Sequence, residues 1–270
     1  METSATFIGT ATVLLRIGTF TLLTDPNFLH RGQRAYLGHG VSSRRLTEPA
    51  LGPDDLPPLD AVVLSHLHGD HFDRIARHRL SRDVPVLTTV PAARRLRRWR
   101  FDDAVGLRPW SDMVLRRGNE TLRITAVPAR HGPTGLHLAM PTTIGTILDW
   151  EVDGFRRLRL YVSGDTRFNR RVLRDIPDRF PGIDTALLHL GGTRILGALV
   201  TMDARDGVAL ANLIRPDRVI PIHYDDYGVF RDPLSNFLQP TVTAHIPATV
   251  LPILRGETVS LKASPVPAYG

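Results

Sequence analysis

The chain has 270 residues, 42% of them apolar and 23% charged, enough to bury a core in one large α/β domain and too mixed for a fibrous or largely disordered chain. Its net charge of +7 permits attraction to anions without choosing among phosphates, nucleic acid and membrane surfaces. Cysteine is absent, which excludes disulfides and thiolate ligands and leaves nitrogen and oxygen to hold any metal.

Residues 1–9 lack a basic stretch followed by an apolar signal core, and no run approaches the roughly 18 apolar residues of a membrane-spanning helix. A cytoplasmic protein without a transmembrane segment is expected. Residues 5–25 alternate β-branched and apolar residues with small turn residues, as in Thr6-Phe7-Ile8 and Phe20-Thr21-Leu22-Leu23, which predicts a meander of short antiparallel strands. Residues 28–58 are rich in Gly, Pro and Arg without a clear period and read as a long surface connection. Residues 60–65 form an apolar run of buried-strand type, residues 84–88 and 121–127 are further strands, and residues 92–99 read as a basic helix. Strands are expected again at 143–152, 158–163, 185–190 and 218–222, with helices at 168–175 and 203–214, the second capped by Thr201 or Asp203. Neither a repeat nor a linker interrupts the order, so residues 1–270 read as one domain of two packed sheets with helices outside.

The segment Ser65-His66-Leu67-His68-Gly69-Asp70-His71-Phe72-Asp73 follows an apolar strand directly and places four potential ligands within six positions. In an extended chain His66 and His68 share a face, and Asp70 and His71 then turn toward a neighbouring position. Gly69 between them suits a tight turn. A catalytic zinc normally has three protein ligands and an open position, so further ligands are required. His131, Asp165 and His223 each stand just past an apolar strand. Taken singly, such residues are more often caps or turn residues; their shared position at strand ends favours a common site.

The run His66-Leu67-His68-Gly69-Asp70-His71 resembles the His-x-His-x-Asp-His signature of metallo-β-lactamase-fold hydrolases. The order of His131, Asp165 and His223 is similar to that family's remaining ligands. Ile8-Gly9-Thr10-Ala11-Thr12-Val13-Leu14, Leu23-Thr24-Asp25-Pro26, Gly191-Gly192-Thr193, Thr201-Met202-Asp203 and Ile220-Pro221-Ile222-His223-Tyr224 resemble the branch containing ascorbate-6-phosphate lactonase and N-acyl-phosphatidylethanolamine phospholipase D. The resemblance implies an αββα four-layer sandwich with the site at one edge of the paired sheets. It implies that His66, His68 and His131 hold one divalent metal ion and Asp70, His71 and His223 a second, with Asp165 bridging. Zinc is the default for these donors, and manganese or iron also suit imidazole with carboxylate. Many relatives of the branch have Gly-His-Ala where this chain has Gly9-Thr10-Ala11, so an imidazole near the substrate is missing.

The implied chemistry is attack of an activated water on a carbonyl or phosphorus, with Asp70 either a proton acceptor or a ligand alone. His189 is a candidate substrate contact with a structural role as its alternative, and Tyr224 and Tyr227 are candidate pocket residues or members of a solvated loop. Arg94-Arg95-Leu96-Arg97-Arg98-Trp99-Arg100 fits a solvated helix face better than a phosphate-binding patch. The leading expectation is a hydrolase of a small, anionic phosphate-bearing ester, phosphodiester or lactone, its selectivity set by residues 28–58 and 224–239. Alternatives are a lactonase or β-lactamase-like enzyme for an unphosphorylated substrate, and a non-catalytic metal-binding, sensor or redox protein. No stable nucleic-acid partner is expected, and a homo-oligomer is compatible with the sequence.

Overall fold

The alternating opening segment forms an antiparallel meander, β1 (Thr3–Gly9), β2 (Thr12–Ile17) and β3 (Phe20–Thr24). A computed structural model describes residues 3–38, 40–135, 138, 140–195, 197–239, 243 and 245–261. A hairpin of β4 (Arg34–Tyr36) and β5 (Ser42–Arg44) precedes β6 (Ala61–Val63), α1 (Arg74–Arg79), β7 (Val86–Thr89), α2 (Val90–Arg98) and β8 (Ala104–Leu107). The second half opens with β9 (Asp112–Arg117), β10 (Glu120–Pro128), β11 (Ile144–Val152) and β12 (Phe155–Val162), followed by α3 (Arg170–Leu173) and α4 (Asp175–Arg179). It continues with β13 (Thr185–His189), β14 (Arg194–Ile195), β15 (Ala198–Leu199), α5 (Ala204–Ile214), β16 (Arg218–Ile222), α6 (Leu234–Phe237), β17 (Thr249–Val250) and β18 (Thr258–Ser260).

The main strands make two seven-stranded sheets, ordered β18-β1-β2-β3-β6-β7-β8 and β17-β16-β13-β12-β11-β10-β9. Phe7, Leu15, Leu22 and Val63 of the first sheet share a buried cluster with Leu122, Ile124, Leu148 and Leu160 of the second. The outer side of the first sheet packs Val62 and Leu64 against Ala76 of α1 and Ala93 and Leu96 of α2. On the second, Leu173, Ile176, Leu210 and Ile214 of α3, α4 and α5 join the core. Each fully buried large apolar side chain contributes roughly 1.5–3 kcal/mol, and the layers give the αββα sandwich.

Local chemistry sets the helix starts. Thr89 caps α2 by accepting from the Ala92 amide, and Asp203 caps α5 by accepting from the Asp206 amide. The basic helix buries Ala92, Ala93 and Leu96 while its arginines face out. The helix expected at 168–175 is instead two short ones, beginning at the Asn169 cap. Residues 28–58 differ most from expectation: they contain the β4–β5 hairpin, and Phe28, Leu29, Ala35, Leu37 and Arg45 are buried. Aperiodic sequence does not reveal burial that comes from packing one loop on another. Among the described residues no helix is long and apolar enough to cross a membrane.

Candidate metal centre

Strand direction gathers the site. Strands β10 and β12 both run antiparallel to β11, and β12, β13 and β16 are mutually parallel, so four C-terminal ends share one edge. His131, Asp165, His189 and His223 stand at or just beyond those ends. Parallel β3 and β6 of the other sheet deliver Asp25 and the loop from Ser65 to Asp73.

That loop is held from both sides. Asn27 Nδ2 donates to the Gly69 carbonyl at 2.8 Å, and the Gly69 amide donates to the Tyr36 carbonyl at 2.9 Å. Asp73 closes it, accepting from the Ala76 amide as the cap of α1 and from the Phe28 and Leu29 amides. The need for glycine at 69 is close approach rather than a turn conformation: a Cβ there would lie 2.7 Å from the Tyr36 oxygen and 2.8 Å from its nitrogen. Gly164, preceding Asp165, needs both, with φ +59° and an added Cβ 2.4 Å from the Ile144 oxygen. His223 itself adopts φ +64°, a costly backbone state for a non-glycine residue that marks functional sites.

The seven expected ligands converge. His66 Nε2 lies 2.9 Å from His68 Nδ1, and His131 Nε2 lies 3.4 Å from the same atom. Asp70 Oδ2 is 3.5 Å from His223 Nε2 and 3.9 Å from His71 Nε2. Asp165 stands between the groups: Oδ1 is 3.3 Å from His71 Nε2 and 3.6 Å from His223 Nε2, while Oδ2 is 3.8 Å from His131 Nε2. These spacings bracket the about 3.3 Å between neighbouring ligands of a tetrahedral ion with bonds of about 2.0–2.1 Å.

The outer ring nitrogens are anchored. His131 Nδ1 lies 2.9 Å from the Val200 carbonyl and His223 Nδ1 3.2 Å from that of Leu190. A carbonyl only accepts, so both Nδ1 atoms carry a proton and both Nε2 atoms are the ones left to face the centre. Burial and the neighbouring imidazoles hold His66 well below the usual histidine range and lower His68 to about 3. Burial likewise lowers His131. At His71 burial is outweighed by Asp165, Asp70 and Asp25, which hold it well above the ordinary value, and at His223 burial is outweighed by Asp165 and Asp70, which raise it. Burial is outweighed at Asp165 and Asp70 too, where His71 and His223 keep both carboxyls ionised.

The donor set fits divalent cations on an observation independent of any family. Asp70 Oδ1, His71 Nε2, Asp165 Oδ1 and His223 Nε2 are all buried and lack a hydrogen-bond partner. Buried polar atoms are rarely left so, and four together point to an ion as the missing partner. Four triads of ligand atoms lie within 4.8 Å of one another, among them His66/His68/His131 and Asp70/His71/His223.

The other candidates lie differently. His189 is wholly buried beside the centre, with Nδ1 3.1 Å from Ser163 Oγ, Nε2 3.4 Å from Asp25 Oδ2, and its ring stacked on His71. These contacts are the structural alternative weighed for it. The Tyr224 hydroxyl donates to the Ile253 carbonyl and that of Tyr227 to Asn27 Oδ1, and both rings are buried rather than in a solvated loop. Thr10 is buried too; its amide donates to Asp226 Oδ2.

Asp25 was quoted in the sequence only within a branch motif, although it follows an apolar strand as the ligands do. Asn27, Arg45 and Asp226 form a buried network behind the loop, with Arg45 bonded to Asn27 and 3.3 Å from Asp226. No local pattern announces them. A cavity of about 260 Å3 is lined in part by the imidazole of His131. Arg130, Leu138, Met140 and Pro141 help to wall it, a segment outside the two loops expected to set selectivity.

A family model described as beta-lactamase superfamily domain matches residues 21–224. An N-acyl-phosphatidylethanolamine-hydrolyzing phospholipase D of Caenorhabditis elegans is 27% identical over 83% of this chain, which spans 64% of that enzyme. A metal-dependent hydrolase of Pyrococcus furiosus is 26% identical over 82% of this chain and 84% of its own. Among solved structures, an isothiocyanate hydrolase from Delia radicum gut bacteria superposes with a TM-score of 0.79 at 19% identity, covering 96% of this chain and all (100%) of that one. At that identity the likeness shows the fold alone.

Proposed function

The chain belongs to the metallo-β-lactamase superfamily and is a metal-dependent hydrolase; from that premise we propose that it uses two divalent ions to hydrolyse a small phosphate-bearing ester, phosphodiester or lactone. The carrying observation is the set of four partnerless buried donor atoms at the junction of two ligand triads. His66, His68 and His131 would hold one ion, Asp70, His71 and His223 the other, and Asp165 would contact both. Zinc is the first choice for these donors. When bound, the ions lower the pKa of a water and polarise the oxygen of the bond to be cleaved.

The protein's part is orientation and proton transfer. Val200 and Leu190 fix the tautomers of His131 and His223. Asp70 Oδ1, without a partner in the protein, accepts the proton of the attacking water and returns it to the leaving oxygen. Arg130 gives the cavity beside His131 a cationic wall suited to an anionic substrate, and Leu138, Met140 and Pro141 give it an apolar one. The apolar wall favours the second reading, an unphosphorylated lactone or β-lactam.

Metal analysis of the purified protein is expected to find close to two ions per chain. Turnover of bis-p-nitrophenyl phosphate, an N-acyl homoserine lactone, nitrocefin and an aryl isothiocyanate sorts the reaction classes. His68→Ala should cut any turnover by more than about a hundredfold with the fold kept. Activity that survives the substitution removes His68 from the site, and a loaded protein inert to every substrate favours a non-catalytic metal protein.

A further inference from the structure

A second feature adjoins the loop that carries His66 to His71. A cleft of about 450 Å3 opens where the loop, the β4 strand, α1 and α2 meet, and the side chains of Arg34, Arg74, Arg77 and Arg95 line it. Arg34 donates to Ser42, and Arg74 to the Arg34 carbonyl. Among the described residues none of the four is ion-paired, whereas nearby Arg79 is paired with Asp54.

The one acid among the described lining residues, Asp73, is turned away, both its oxygens accepting from backbone amides. Trp99 restrains two of the cations: the Arg77 guanidinium lies 4.2 Å from the ring centroid and that of Arg95 5.2 Å. Phe72 stacks against the indole at 6.4 Å. Guanidiniums held over an aromatic keep their donors oriented, and several in one concavity without a counter-charge build a field that an anion relieves.

We propose that this cleft is a binding site for a small phosphorylated anion carrying at least two negative charges, separate from the metal centre. None of the seven expected ligand side chains is among the described residues that line the cleft. Such an anion would bridge Arg34 of the hairpin to Arg74 and Arg77 of α1, tying the hairpin to the helix that follows the metal loop. The site stands independently of the hydrolytic reading.

Calorimetric titration of the metal-loaded protein with inorganic pyrophosphate, at fixed ionic strength, tests it. Saturable binding is expected, weakened about a hundredfold in Arg74→Ala/Arg95→Ala because each charge-assisted contact is worth about tenfold. Both positions are exposed, and Arg34→Ala, on a different element, should give an independent loss. Arg94→Ala/Arg98→Ala removes the same charge from exposed positions of α2, the helix of Arg95, outside the cleft and should leave affinity within about twofold. His68→Ala should keep it as well. Equal weakening by the two arginine pairs would reduce the feature to diffuse charge. Unchanged affinity in Arg74→Ala/Arg95→Ala, or loss in His68→Ala, would assign the anion elsewhere, and either result overturns the proposal.

Discussion

Asp25 Oδ1 lies 3.4 Å from His71 Nδ1, while the opposite nitrogen of the same ring lies 3.3 Å from Asp165. Ser65 donates to that Asp25 oxygen through both its amide and its hydroxyl, so the carboxylate is fixed before it orients the imidazole. A carboxylate behind a ligating histidine sets its tautomer and raises its basicity. Asp25→Ala is therefore expected to weaken binding of the proposed ion at His71 about 10–100-fold, and Asp25→Asn by less. Chelator competition on the purified variants measures this, and unchanged affinity for both ions would leave Asp25 a purely structural residue.

The same carboxyl makes the metal-free protein sensitive to acid. Burial works against its ionisation, but His71 and His189 prevail and lower it from 3.8 to about 2. A carboxyl depressed in the folded state adds stability that is complete above the unfolded value and is lost as pH falls through the folded one. Its contribution, on the order of 2 kcal/mol, should therefore disappear between about pH 4 and pH 2. Urea unfolding of the metal-free protein across that window should show wild type losing more stability than Asp25→Asn. Parallel curves would mean that the residue titrates as an ordinary carboxyl.

Metal binding should release protons. Without an ion His71 is held well above the usual histidine range, burial being outweighed by Asp165, Asp70 and Asp25, and His223 is raised by Asp165 and Asp70. His71 is thus protonated at neutral pH and His223 is protonated more readily than an ordinary imidazole, and each must offer an unprotonated Nε2 to coordinate, so affinity falls as pH is lowered. Titrating zinc into the metal-free protein in buffers of different ionisation enthalpy should reveal net proton release at pH 7. Heats independent of the buffer would contradict the raised values.

The residues that converge were legible in the sequence because they stand just past apolar runs, and strand direction carries those ends to one edge. His66, His68, Asp70 and His71 stand out through crowding, and His131, Asp165 and His223 through their shared position. Asp25 offers the same signal, standing just past Phe20–Thr24, but it lies forty residues before the crowded segment and no neighbouring histidine marks it. The β4–β5 hairpin was not legible: its burial depends on Leu29, Ala35 and Leu37 packing with Tyr227, a partner nearly two hundred residues away that no local period can announce. Of the cleft arginines only Arg95 belongs to the basic run that reads as a solvated face, and only the fold brings Arg34 beside α1 and α2.

Arg45 and Asp226 support the metal loop at a distance, and their energetics are separable from catalysis. Both side chains are fully buried, 3.3 Å apart. Asp226 also accepts from the Thr10 amide, the Thr47 hydroxyl and Arg255. Burial opposes its charge, but Arg45 and Arg255 outweigh that and keep it below the ordinary carboxylate range. Arg45 in turn donates to Asn27, which holds the Gly69 carbonyl. Removing one partner of a buried pair leaves the other charge uncompensated, so Asp226→Ala should cost about 3–5 kcal/mol in urea unfolding. The double variant Arg45→Met/Asp226→Leu removes both charges and should regain most of that loss, because the net worth of a buried pair is small once desolvation is counted. Metal affinity discriminates further: with Arg45 gone Asn27 keeps Tyr227 and Thr12 but loses its cationic partner, so the double variant should bind metal more weakly even though its stability has returned. Full stability together with wild-type affinity would show that Tyr227 and Thr12 suffice to hold Asn27 in place.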